Sequence, residues 1–143
     1  MDATGEISTL VEKRSAAIRA RDIDRLMALY VPDVVSFDLV PPLAYEGRRA
    51  LRAIFEAWLG GFVSAPGMEL TDLAVVAGGG IGYAHWFNHT SGMLRSGARV
   101  SYWARATICC REVNRQWLIS HEHLSLPVDF TTATAAMDLT PPS

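Results

Sequence analysis

Two histidines and an arginine in the last third of the chain are the residues whose types and spacing first suggest chemistry. His121 and His123 stand two positions apart in the stretch WLISHEHLSLP, so they share one face of a predicted β-strand. The apolar stretch before them predicts an antiparallel partner strand, joined to the first by a turn around Asn114. Closing that turn pairs Thr107 with His121 and Arg105 with His123. The spacing therefore predicts an arginine beside two histidines on one wall of a sheet.

The face that carries the two histidines is apolar at its other end, where Trp117 and Ile119 stand. A half-buried strand has this pattern when its polar end lines a cavity, where the histidines would act as general acid-base groups. In a second interpretation both histidines are structural and donate to neighbouring backbone or to Glu122. The pair could also hold a metal ion together with Asp38. Because no fuller ligand pattern is present, we predict no metal site.

Asp38 is a carboxylic acid within an apolar strand, VVSFDLV, which ends at two prolines. An ionised carboxylate in such a strand costs free energy unless it is paired, lies at the rim or takes up a proton. This setting is typical of a general base in an apolar pocket. In the alternative interpretation Asp38 caps the following turn through backbone amides before Gly47.

Three stretches in the first half of the chain follow helical spacing and would pack against the sheet. They cover residues 6–21, 22–30 and 48–62, and Asp22 is the predicted N-cap of the second. From residue 67 the pattern changes to that of strands, with a glycine turn at 78–80.

A two-residue turn at Ser96-Gly97 would set the register between the strand over 80–94 and the strand that follows it. In that register Trp86 opposes Thr107 and Asn88 opposes Arg105. A slip of one residue would exchange the two faces of the pair. The outer, convex face then carries four small or apolar side chains: Tyr102, Ala104, Ala106 and Ile108.

The 143 residues fit one domain, expected over residues 1–127, with an extended or mobile arm over 128–143. Half of the residues are hydrophobic (50%) and a fifth are charged (20%), which is ordinary for a globular protein. The net charge is −2 and the basic residues are scattered, so nucleic acid is not an expected partner. The chain has no long apolar run and begins with acidic and polar residues. We therefore expect a cytoplasmic protein with neither a membrane span nor a signal peptide.

Three stretches carry a resemblance to a known family: ARDIDRLMALYVPDVVSFD, YEGRRALRAIFEAWL and WLISHEHLSLP. On these residues the chain resembles the SnoaL-like and ketosteroid-isomerase-like branch of the nuclear transport factor 2-like superfamily. The resemblance implies an α+β fold in which a cone-shaped, curved mixed/antiparallel sheet wraps around three N-terminal helices, the cystatin-like α+β barrel. The same fold serves isomerases, cyclases, hydrolases, dehydratases and non-enzymatic binders.

The resemblance also implies roles for individual positions. Asp38 falls where ketosteroid isomerases place their proton-shuttling aspartate. Arg14 stands near their oxyanion-hole tyrosine, and Arg105 or Thr107 stands near their protonated acid, so both usual partners are replaced. Arg105 would instead supply a charged donor to an anionic or carbonyl-bearing ligand.

The leading hypothesis is a cofactor-independent isomerase, cyclase or lyase that transfers a proton on a small hydrophobic carbonyl substrate. Its catalytic residues would be Asp38, His121, His123 and Arg105. Its substrate-binding residues would be Tyr30, Trp58, Trp86, Asn88, Trp103 and Thr107.

Two alternatives remain open. In one, the cone is a non-catalytic binding module for a small apolar ligand, or is filled by side chains. In the other, the convex face of the sheet forms a homodimer, and this assembly role is compatible with either function.

Overall fold

The computed structural model describes residues 2–142 and places three helices before most of the sheet. The helices are α1 (Ala3–Arg19), α2 (Ile23–Met27) and α3 (Arg48–Gly60). Asp2 is the N-cap of α1, since its side chain accepts from the Gly5 amide, and Asp22 caps α2 as predicted. The second helix is shorter than the predicted range of 22–30, because the chain already joins the sheet at Tyr30.

Six strands form one mixed sheet in the order β2-β1-β6-β5-β4-β3. Only β1 and β6 run parallel, and all other neighbours are antiparallel. The strands are β1 (Tyr30–Phe37), β2 (Tyr45–Glu46), β3 (Gly67–Gly78), β4 (Ile81–Met93), β5 (Arg99–Val113) and β6 (Gln116–Ser125). This confirms the predicted α+β class.

The core lies between the helices and one face of the sheet, called here the inner face. Helix α1 contributes Ile7, Val11 and Ile18, all without solvent exposure, and packs chiefly on β3. The sheet contributes Ala84, Ile108 and other buried side chains. Burial of this continuous apolar surface, at roughly 25 cal/mol per Å², is the main stabilisation of the fold.

The predicted register between β4 and β5 is wrong by one residue. Met93 pairs with Arg99, so the connection between them is a five-residue loop rather than the two-residue turn at Ser96-Gly97. Trp86 therefore opposes Ala106, and Asn88 opposes Ala104. A shift of one residue reverses which side chains share a face.

The four residues predicted for the convex face consequently lie on the inner face. Tyr102, Ala104, Ala106 and Ile108 share it with Trp86, Asn88 and Thr90, and the three small or aliphatic members are at most 4% exposed. The outer face carries instead the neighbours that were predicted to point inward: Trp103, Arg105, Thr107 and Cys109.

The two histidines of β6 do not lie on the face predicted for them, because β6 contains a β-bulge. The turn at Asn114-Arg115 is present, but beyond it Cys110 pairs with Ile119 whereas Cys109 pairs with His121, so Ser120 is the extra residue. Trp117 and Ile119 point inward, yet after the bulge Glu122 is the inward residue. His121 and His123 therefore do not share a face with Trp117 and Ile119. Thr107 opposes His123 rather than His121, because the turn at Asn114-Arg115 and the bulge each shift the predicted pairing by one residue.

The residues after β6 form a small hairpin of two short strands, β7 (Val128–Asp129) and β8 (Thr134–Ala135). The aromatic side chain of Phe130 in its turn is 92% exposed. Within residues 2–142 no helix is both long enough and apolar enough to cross a membrane.

Candidate functional site

A cavity of about 100 Å³ lies between the inner face of the sheet, helices α1 and α3, and the segment that follows β1. Its wall is mainly apolar. The lining side chains are Arg14, Ile18, Asp38, Leu39, Val40, Ile54, Phe55, Trp58, Met68, Asn88, Thr90, Tyr102, Ala104 and Leu124. The cavity opens toward solvent on one side, which is the arrangement typical of a small-molecule site.

Asp38 is the acidic residue of this wall. It directly follows β1, in which Val34 and Ser36 are the buried alternate positions, so the period of the strand continues and directs Asp38 inward. Its Oδ1 accepts the Leu39 amide at 2.6 Å, a local turn contact that resembles the predicted cap. Burial raises the pKa of Asp38 above its usual value. The Leu39 amide and Arg14 oppose that rise, and the charge of Glu122 adds to it.

Three polar side chains project from the middle of the sheet into the same cavity. Asn88 and Thr90 lie two positions apart on β4, and Tyr102 pairs with Thr90 across β5. The Asn88 carbonyl oxygen accepts Trp86 Nε1 at 3.3 Å, so its amide nitrogen is the group left to donate. Burial raises the pKa of Tyr102, so this phenol keeps its proton at neutral pH. The cavity thus combines one carboxyl group with neutral donors.

Arg14 contributes a cation that is already paired. Its Nε donates to Glu122 Oε1 at 2.7 Å and its Nη2 to Glu122 Oε2 at 3.0 Å, which is a bidentate pair. Tyr30 donates to Glu122 Oε1 at 2.6 Å. All three residues are at most 1% exposed. Burial works against the charge of Arg14, but Glu122 beside it raises the pKa of Arg14 above its ordinary value.

One nitrogen of Arg14 is left over from this arrangement. Nη1 is buried and has no hydrogen-bond partner, while Arg14 itself lines the cavity. The guanidinium carbon lies 5.9 Å from the ring centroids of both Phe55 and Trp86. The two rings and the carboxylate fix the guanidinium group, so Nη1 is an unpartnered donor of fixed position in a residue of the cavity wall.

The structure brings together three of the predicted site residues. Asp38, Trp58 and Asn88 all line the cavity. Tyr30 and Trp86 are buried directly behind it, where Tyr30 holds Glu122 and Trp86 holds Asn88.

The other five predicted residues lie on the outer face of the sheet. His121 Nδ1 donates to the Val35 backbone oxygen at 2.7 Å, and the rings of His121 and His123 pack edge-on against Phe37. Arg105 Nε donates to Ser125 Oγ at 3.0 Å. Trp103 packs beside His89, and Thr107 pairs with His123. The outer-face position follows from the bulge in β6 and the register of β5.

His123 and Asp38 both border an open groove on the far side of the segment after β1. Within residues 2–142 no three His, Cys, Asp or Glu side chains are grouped so that they could hold a metal ion.

Arg14 and Tyr102 were not among the predicted site residues, although the resemblance had placed Arg14 near the oxyanion-hole tyrosine of ketosteroid isomerases. The sequence contains one indication that Arg14 points inward: it lies on the same helix stripe as the apolar residues Val11, Ala17 and Ile18. Tyr102 had none, because its inward direction depends on a register that a loop of three additional residues sets.

Comparison with known proteins assigns the fold. The family model of the SnoaL-like domain matches residues 7–129. An NTF2-like protein of unknown function from Pseudomonas putida KT2440 is 36% identical, with 97% of this chain and 96% of that chain covered and a TM-score of 0.85. No curated protein matches the sequence.

Two more distant structures share the fold alone. A ketosteroid isomerase-like protein from Erwinia carotovora atroseptica has a TM-score of 0.75 at 13% identity, covering 87% of this chain and 95% of that one. An uncharacterised protein with a cystatin-like fold from Caulobacter vibrioides has a TM-score of 0.76 at 19% identity, covering 91% and 92%.

Proposed function

The chain belongs to the SnoaL-like domain family of the NTF2-like superfamily, and on that premise we propose that it catalyses proton transfer on a small hydrophobic carbonyl compound. The observation that carries this proposal is the position of Asp38, a carboxyl group with a raised pKa in a mainly apolar cavity. A raised pKa makes a carboxylate a stronger base, and the pKa itself then lies closer to neutral pH.

The proposed step conserves atoms and charge. Asp38, ionised, takes a proton from the carbon next to the substrate carbonyl. The electrons of that C–H bond form a carbon–carbon double bond, and the carbonyl π electrons move to the oxygen, which becomes an enolate. Returning the proton to another carbon gives the isomer, and returning it to the same carbon gives isotope exchange.

The neutral donors of the cavity support this step. Tyr102 and the Asn88 amide nitrogen line the same space as Asp38, and both can donate to an oxygen that gains negative charge. In this proposal His123 has a secondary role at most, exchanging protons with Asp38 across the groove that both border. Arg105 and His121 take no part in it, because their hydrogen bonds lie on the outer face.

The test is exchange of α-hydrogens in D₂O, followed by proton NMR for a panel of small cyclic and open-chain ketones. Wild-type protein should accelerate exchange and Asp38→Asn should abolish the acceleration. Asp33→Asn is the matched control, since Asp33 lies on the same strand but is exposed and paired with Arg111. Equal rates for wild type and Asp38→Asn would contradict the assignment of the base.

A non-catalytic binding module is the second candidate. The apolar wall formed by Ile54, Phe55 and Trp58 would hold an apolar ligand without any reaction. Tight binding of a ketone that exchanges no hydrogen would favour this candidate over the enzyme.

A further inference from the structure

The unpartnered nitrogen of Arg14 and the charge balance around it specify the ligand more narrowly than the proposed reaction does. We propose that Arg14 Nη1 donates to the oxygen of the ligand, and that the cavity selects small neutral carbonyl compounds over carboxylates. The inference rests on the proposed function for the location of the ligand, but not for the chemistry that follows binding.

The first support is the incomplete hydrogen bonding of Arg14. A guanidinium group has five N–H donors, and burial without partners is costly for each of them. Here Glu122 and Tyr30 serve Nε and Nη2 only, and Nη1 is buried without a partner in a residue that lines the cavity. An acceptor oxygen placed in the cavity would satisfy it.

The second support is the charge of the groups that face the cavity. Arg14 is neutralised by Glu122 in a bidentate pair at 2.7 and 3.0 Å. Asp38 is the other ionisable acid of the wall, and Tyr102 is a phenol that burial keeps neutral. With Asp38 ionised, the site and its neighbours therefore carry a net charge of about −1.

That balance disfavours a second anion. A carboxylate ligand would place a second negative charge beside Asp38 in an apolar cavity, with only one unpartnered nitrogen of Arg14 to offset it. A neutral ketone adds no charge when it binds. In the proposed step the enolate oxygen gains the negative charge that Asp38 loses. The net charge of the site is therefore the same before and after proton transfer.

The third support is size. The cavity holds about 100 Å³, which is less than the cavity of about 150 Å³ that accommodates benzene. The enclosed part of the ligand, which carries the oxygen, is therefore at most about six heavy atoms in size. A larger substrate would extend through the open side of the cavity.

The experiment compares three compact cyclic probes of equal heavy-atom number: cyclopentanone, methylenecyclopentane and cyclopropanecarboxylate. Dissociation constants would be measured at pH 8 by protein NMR titration of the full chain. Cyclopentanone should bind at least about tenfold more tightly than either of the others, because only it offers a neutral acceptor. Equal affinity for methylenecyclopentane, or equal affinity for the carboxylate, would overturn the inference.

Arg14→Lys tests the donor itself. Lysine keeps a positive charge beside Glu122, but its single nitrogen cannot pair with Glu122 and also stand at the position of Nη1. We expect the affinity for cyclopentanone to fall by at least about tenfold, and the infrared stretch of its bound carbonyl to return toward the frequency of the free ketone. Arg52→Lys is the matched control on the surface of α3, and it should change neither quantity.

If Arg14→Lys does not fold, a crystal of the wild-type protein soaked in cyclopentanone decides the matter. The ketone oxygen within hydrogen-bond distance of Arg14 Nη1 supports the inference, and any other position of the oxygen overturns it. The α-hydrogen exchange assay separates the two proposals. Binding through Nη1 without exchange would refute proton transfer and leave this inference standing. Exchange with an unchanged Arg14→Lys affinity would do the reverse.

Discussion

The buried pair of Arg14 and Glu122 makes the sharpest prediction about stability. In Glu122→Gln the carboxylate becomes an amide of almost the same shape, so packing is retained while the negative charge is lost. Arg14 then remains charged and 1% exposed with no counter-ion. The amide nitrogen of the new glutamine is a hydrogen-bond donor, and it would face the N–H donors of Arg14. Removing one partner of a buried ion pair typically costs about 3–5 kcal/mol.

The contacts of Glu122 indicate that Glu122→Gln should lose this full amount of unfolding free energy. Both Glu122 oxygens are used, Oε1 by Arg14 and Tyr30 and Oε2 by Arg14. No solvent reaches Glu122, which is 0% exposed, so water cannot replace the lost charge. Total stabilities of domains are about 5–15 kcal/mol, and the substitution therefore removes a large fraction.

Urea unfolding followed by circular dichroism measures the effect. With a slope of about 2 kcal/mol per M, a loss of ~4 kcal/mol lowers the midpoint by about 2 M. Glu56→Gln is the control, because it breaks an exposed pair with Arg52 four residues away and should cost less than about 1 kcal/mol. A Glu122→Gln midpoint as close to wild type as that of Glu56→Gln would refute the reasoning.

A double variant separates the lost charge from the lost shape. Arg14→Met combined with Glu122→Leu removes both charges, and apolar replacement of a buried pair is often neutral or stabilising. We expect the double variant to be more stable than Glu122→Gln alone. A double variant less stable than Glu122→Gln would show that the hydrogen bonds of the pair, and not the uncompensated charge, determine its contribution.

Three further predictions concern the cavity and the outer face. The folded-state pKa of Asp38 lies above its usual 3.8, so its contribution to stability is full below pH 3.8 and is lost as the pH rises through the raised pKa. Asp38→Asn should therefore unfold at higher urea than wild type at pH 7, with a smaller difference at pH 4, and a difference that grows on acidification would contradict the burial of Asp38. Ala104→Leu should fill the cavity, adding about 1–2 kcal/mol of stability and abolishing ketone binding, whereas Ala53→Leu on the exposed side of α3 should leave binding intact; retained ketone binding by Ala104→Leu would place the ligand elsewhere. We also expect a second copy to cover the outer face, where Phe37 and Tyr83 are 37% and 43% exposed, and a monomer by sedimentation at micromolar concentration would disprove it.

Local patterns were sufficient to predict the three helices and the five long strands of this chain, but not the short strands β2, β7 and β8. Asp22 caps α2 because its side chain can accept an amide within the next turn, and that interaction needs only neighbouring residues. The glycine turn before β4 and the turn at Asn114-Arg115 also form where predicted, since positive φ angles are tolerated there. Asp38 was predicted as a site residue because it is an acid within an otherwise apolar stretch.

The residues that surround Asp38 could not be derived in the same way. A strand has a period of two, so one extra residue in a loop or a bulge exchanges its faces while the local sequence looks unchanged. The five-residue loop before β5 turned Tyr102 inward, and the bulge at Ser120 turned Glu122 inward and both histidines outward.

The sequence by itself determined the positions of the three helices and the five long strands, and that an acid stands within the apolar stretch of the first strand. Only the tertiary structure decided which side chains meet that acid. Arg14 and Glu122 are 108 residues apart in the chain, and nothing local to either indicates the other. Their pairing depends on the register of β6 and on the packing of α1 over the sheet, because a buried charge is stable only where the fold supplies its partner.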